Sequence, residues 1–163
     1  MKYCISGLVC GLMVIAILGC AEQEEEAAFT AETVNASDLY TMFTQDMPYT
    51  DWSFWEDTSG LIEGKAPHGT FVKNYANDMV LTASGDAYPY GSLIVKENYM
   101  PDTTLAALTI MYKVKAYNPD DGDWFWAMYG VDGSVQAEGK VQGCITCHRA
   151  RKGQDYVFLH DLK

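Results

Sequence analysis

From residue 110 to 117 the chain alternates. Ile110, Tyr112, Val114 and Ala116 fall on one side, Met111, Lys113, Lys115 and Tyr117 on the other. This period of two predicts a half-buried β-strand. Residues 123–129 form an aromatic-rich second strand, and Asp132-Gly133 after Val131 supplies a hairpin turn into a further strand at Val135. Segments 70–73 and 91–99 carry two more strand patterns. One short helix is predicted ahead of them. Ser37 can cap it, Leu39, Met42 and Phe43 fall on one face, and Pro48 stops it. Aromatic and β-branched residues broken by Gly and Pro do not suit four long amphipathic helices, and there is no internal repeat.

The N-terminus has a different pattern. Met1-Lys2 precedes a short apolar run over 5–18, and Leu18-Gly19-Cys20 closes it. The run is too short, and too soon followed by acid, for a stable transmembrane helix, so it reads as a secretory signal. Leu-Gly-Cys looks like the bacterial lipobox, in which the thiol is acylated and the chain is cut before it, making Cys20 the lipidated first residue. An ordinary signal peptide cut nearby is the alternative. The expected organisation is a signal peptide over 1–19, an acidic tether over 20–36 and one folded domain over 37–163. The location expected is the periplasmic side of a bacterial membrane.

Of the 163 residues, about 144 remain after removal of the first 19, enough for one core and not two. The net charge of −11 becomes one unit more negative when Lys2 leaves. So acidic a chain is unsuited to nucleic acid or to an anionic membrane surface, which leaves the lipid as the membrane contact. Of five cysteines, Cys4 and Cys10 leave with the signal and Cys20 carries lipid. Cys144 and Cys147 are committed to the site described next, so none remains for a disulfide.

Cys144-Ile145-Thr146-Cys147-His148 is the C-x-x-C-H string of c-type haem attachment: two thiols bond the porphyrin and the adjoining histidine coordinates iron. A structural zinc site would need a second ligand pair, and the mature chain offers only distant His68 and His160. A thioredoxin-like dithiol would need a βαβ context, which a motif at the tail lacks. The candidate cofactor is therefore one covalent haem c, held by Cys144 and Cys147, with His148 as its metal ligand. No methionine follows His148, which excludes the small electron-carrier layout with a downstream methionine ligand.

An ordered set of segments resembles the cytochrome P-460 family and its cytochrome c′-beta relatives. It comprises Ala66-Pro67-His68-Gly69, Asn77, the run 91–97 ending Lys96-Glu97, Met111-Tyr112-Lys113, Gly122-Asp123-Trp124-Phe125-Trp126, the haem motif, and Asp155-Tyr156-Val157-Phe158. The resemblance runs from about Trp52 to the C-terminus. It implies an α+β, mainly antiparallel β domain with a curved sheet and a few short helices, carrying haem c near the C-terminus and usually forming a homodimer. It implies His148 on one side of the iron and an open or weakly occupied site on the other, suited to nitric oxide or to oxidation of hydroxylamine. Electrons would then pass to a partner cytochrome. Electron transfer without turnover is the alternative.

Two further residues take candidate roles from that resemblance. Lys96 matches the lysine that hydroxylamine-oxidising members join covalently to the porphyrin. On the strand pattern it shares a face with Ile94, so it is either that crosslink or a snorkelling strand lysine. His68 falls in the segment expected beside the distal pocket, and is a residue lining the distal face, an iron ligand, or a turn or structural histidine. No distal carboxylate can be placed, because Glu97 falls on the face opposite Lys96. Arg149, Arg151 and Lys152 form a basic cluster that suits either haem propionates and a redox partner or a helix end. Trp124, Phe125 and Trp126 are expected to divide between core or porphyrin and a dimer interface.

Overall fold

The computed structural model describes residues 28–54 and 58–162. The expected signal peptide and Cys20 lie outside these residues. Six strands follow one another as an antiparallel meander: β1 (Ile62–Glu63), β2 (Phe71–Ala76), β3 (Leu93–Tyr99), β4 (Leu105–Lys113), β5 (Trp124–Gly130) and β6 (Val135–Gly139). With the helices α1 (Ala36–Thr41), α2 (Asp78–Leu81) and α3 (Gln142–His148) they make the expected single α+β domain.

The β5–β6 hairpin turns where Asp132-Gly133 predicted it. Gly133 has φ 81°, and Asp132 Oδ1 accepts the Ser134 backbone N–H at 3.0 Å and its hydroxyl at 2.6 Å. The helix ahead of the sheet begins earlier than expected. Asn35, not Ser37, is the N-cap, its side chain accepting from Asp38 N at 2.9 Å. Packing also extends into the segment read as tether: Phe29 lies edge-on to Tyr112 with ring centroids 5.9 Å apart. An alanine-rich acidic stretch gives no periodic signal for a single aromatic anchor, which is why sequence pattern alone placed the start of order too late.

The central strands are buried on both faces rather than half-buried. One face carries Leu93, Val95, Ile110, Tyr112, Phe125 and Tyr129 under α1 and the turn that follows it. The other carries Ile94, Met111, Trp124 and Trp126 under α3 and the C-terminal segment. Trp124, Phe125 and Trp126 are thus all internal, at 0–3% exposure, and do not form the interface expected of one strand face. The polar half of the 110–117 alternation misled because Lys113 is itself buried, in an ion pair with Asp155.

Glu97 belongs to the α1 side of the sheet. Its carboxylate accepts hydrogen bonds from Tyr49 at 2.9 Å, Tyr75 at 3.2 Å and Tyr99 at 2.6 Å. Three donors around one buried carboxylate satisfy it, and burial together with Glu97 drives all three phenol pKa values upward. Glu97 is a structural anchor on the far side of the sheet from Lys96, as the strand alternation requires.

Candidate functional site

Helix α3 carries the motif. Cys144 and Cys147 are three positions apart and Cys144 and His148 four, so all three project from one side of the helix. Both thiols are free, Cys147 exposed and Cys144 half-buried. They open into a mainly apolar cleft, with about 890 Å³ of space counting its mouth, bounded on the sheet side by Ile94, Lys96, Thr109, Met111 and Trp126. His68 and His148 line the same cleft. Sequence reasoning named all five candidates in the described chain, and the structure brings Cys144, Cys147, His148, His68 and Lys96 together.

His148 is 7% exposed and held from behind. Its Nδ1–H donates to the carbonyl of Tyr156 at 2.7 Å. A carbonyl can only accept, so the ring's Nε2 carries the lone pair, the tautomer a metal requires. That carbonyl is presented by a turn in which Asp155 (φ 47°) and Tyr156 (φ 70°) both occupy the left-handed region. The turn is pinned: the Asp155 carboxylate pairs with buried Lys113 and accepts Tyr88 N–H at 2.8 Å, while its backbone carbonyl accepts the Trp124 indole N–H at 2.9 Å. Burial lowers the His148 pKa, as does the charge of Lys96. Trp126 and Phe158 pack on the imidazole at centroid distances of 4.6 and 5.1 Å. The sequence signal for this support is the Asp155-Tyr156 pair, eight residues beyond the motif's second cysteine.

His68 comes from the loop before β2. Gly69 lets that loop lie against the end of β3, since a Cβ there would stand 2.5 Å from Tyr99 N. His68 Nδ1 lies 3.0 Å from Asn98 Oδ1. The Asn98 amide nitrogen is directed at Lys96 O, Ala107 O and Thr109 Oγ1 at 3.1–3.2 Å, so its oxygen must be the atom facing His68. His68 therefore donates from Nδ1 and keeps a free Nε2. Burial, and then the charge on Lys96, lowers its pKa to about 4, which leaves it neutral at pH 7.

Lys96 sits in a cross-strand row with Asn74 on β2, Thr109 on β4 and Met128 on β5. Burial lowers its amine to about pKa 8, and it has no ion-pair partner among the described residues. Asn74 beside it is fully buried, and its amide atoms have no hydrogen-bond partner among the described residues. No aspartate or glutamate is among the described residues lining the cleft. Met111 and Met128 line it, whereas Met100 is exposed and outside. The basic cluster is partly committed elsewhere: Arg149 pairs with Asp121 at 2.6 Å and Arg151 with Asp161.

Two thiols on one side of a helix, a histidine with a fixed free Nε2 and an apolar cleft before them suit a covalently held macrocycle with an axial nitrogen. Trp126 adds an indole N–H with no partner among the described residues, a buried donor that a carboxylate-bearing group would satisfy. The residues fit haem. These features define a haem-binding β-domain. A sequence model of the Cytochrome P460 family matches residues 46–159, and the chain belongs to that family, which implies a haem cofactor. No curated protein matches the chain.

Proposed function

We propose that this protein is an exported, lipid-anchored cytochrome holding one haem c through Cys144 and Cys147, with His148 on the iron, and that its distal pocket takes a small nitrogen species, nitric oxide or hydroxylamine. The observation that carries this reading is the convergence of the two thiols, His148, His68 and Lys96 on one cleft. Haem iron supplies a coordination position and a one-electron redox change. The polypeptide supplies the rest. Tyr156 O orients His148, and the apolar walls exclude water. His68, neutral at pH 7, places an imidazole with a free Nε2 in the cleft, where it can hydrogen-bond a bound ligand.

Lys96 divides the two outcomes. Its amine is buried, which lowers its pKa to about 8, so it more readily takes the neutral form that a covalent bond to carbon requires. If it is joined to the porphyrin, Lys96→Leu should restore an ordinary c-type spectrum, retain nitric oxide binding and abolish hydroxylamine oxidation. If it is not joined, the same substitution should leave both spectrum and reactivity nearly unchanged, and the protein is a ligand binder. Visible spectra and hydroxylamine turnover of the two holoproteins check this. Failure of the wild-type holoprotein both to bind nitric oxide in either oxidation state and to oxidise hydroxylamine would remove the small-ligand reading and favour electron transfer.

Anchoring rests on the Leu18-Gly19-Cys20 sequence. Cys20→Ser should move the domain from the membrane to the soluble periplasmic fraction, since acyl chains supply the attachment. Retention of that variant in the membrane with its signal removed would contradict the lipid anchor.

A further inference from the structure

The rings of His68 and His148 face the same cleft with centroids 6.3 Å apart and planes at 85°. Each ring is tethered through Nδ1, to Asn98 Oδ1 at 3.0 Å and to Tyr156 O at 2.7 Å, so each keeps an unprotonated Nε2. Two imidazoles on opposite sides of one metal are separated by two metal–nitrogen bonds of about 2 Å and by about 1 Å from each nitrogen to its ring centre, roughly 6 Å in all. The observed spacing is that span. A hydrogen-bond acceptor behind each ring is also the usual support of a metal-bound histidine. Here both rings have one, although only His148 lies in the attachment motif.

We propose that His68 is the second axial ligand of the haem at rest, and that a small ligand enters by displacing it. This rests on the haem c reading of the 144–148 motif and specifies what occupies the position opposite His148. The competing donors in the cleft are Met111, Met128 and the Lys96 amine. Met111 is 8% exposed and packs with Ile94 and Trp126 in the core beneath the cleft. Neither methionine has a hydrogen-bond partner among the described residues to orient its sulfur, whereas His68 is held by Asn98 and by the close approach of Gly69 to β3. Displacement costs the His68–iron bond and releases a neutral imidazole still tethered to Asn98. The freed ring stays beside the incoming ligand as a hydrogen-bonding group.

The test is the spin state of the ferric holoprotein, read by electron paramagnetic resonance and visible absorption at pH 7, together with the rate of nitric oxide association with the ferrous form. Wild-type protein should be low-spin with two nitrogen ligands. His68→Ala should be high-spin, and nitric oxide should bind it roughly tenfold faster or more, because the vacant form no longer has to be populated first. A high-spin wild-type spectrum overturns the proposal and needs no variant to be interpreted. So does a low-spin signal that survives in His68→Ala, which would point to methionine or Lys96. High-spin covalent haem that still binds nitric oxide would defeat this inference alone. Absence of covalent haem would defeat the reading beneath it. Loss of the low-spin signal in His68→Ala without any nitric oxide binding would uphold the coordination and overturn the displacement.

Discussion

Replacing Asp155 with alanine should lower the unfolding free energy by about 3–5 kcal/mol, the usual cost of removing one partner from a buried ion pair. Asp155 and Lys113 each have side chains only 6% exposed. Without the carboxylate, the Lys113 ammonium is left inside the C-terminal core, with the Trp124 ring centroid 5.1 Å from its nitrogen as a weak compensating contact. The Tyr88 N–H loses its acceptor as well. Urea unfolding of the holoprotein, with an unchanged m-value, measures the loss. Replacing both partners, as Asp155→Ala with Lys113→Met, should recover much of it, because the uncompensated charge is gone. A loss below about 1 kcal/mol in the single variant would mean that Lys113 reaches water and that the pair does not pin the turn. The effect extends to the site, since this turn presents the Tyr156 carbonyl to His148.

The second large effect concerns attachment. In Cys144→Ala/Cys147→Ala no thiol remains on α3, so haem held only by axial coordination and apolar contact should be extracted completely by acid and organic solvent. Each single variant should retain one bond and a shifted absorption spectrum. Haem that resists extraction in the double variant would show another covalent link, and Lys96, in the same cleft, would be its first candidate.

Much of this was legible from residue order. The spacing of Cys144, Cys147 and His148 carries its own helical geometry, so placing them on one side of α3 required no tertiary information. Strand alternation put Lys96 with Ile94 and Glu97 opposite, and the register keeps them there because a one-residue slip would exchange the faces. What sequence could not show is what each face meets. The alternation at 110–117 looks the same whether its polar side meets water or, as for Lys113, a buried carboxylate contributed from 42 residues away. Glu97 satisfied by three tyrosines is likewise a product of long-range packing. The fixed tautomers of His68 and His148 depend on Asn98 and Tyr156, residues that no local pattern pairs with them.

The central claim is that Cys144 and Cys147 hold a single haem whose iron is bound by His148. Intact mass of the denatured holoprotein, followed by peptide mapping, tests it most directly. The account predicts one haem's added mass, retained through denaturation and confined to the peptide containing residues 144–148, or bridging that peptide to the one containing Lys96. A protein of unmodified mass with both thiols free to alkylation, recovered from cells competent to mature c-type cytochromes, would contradict it.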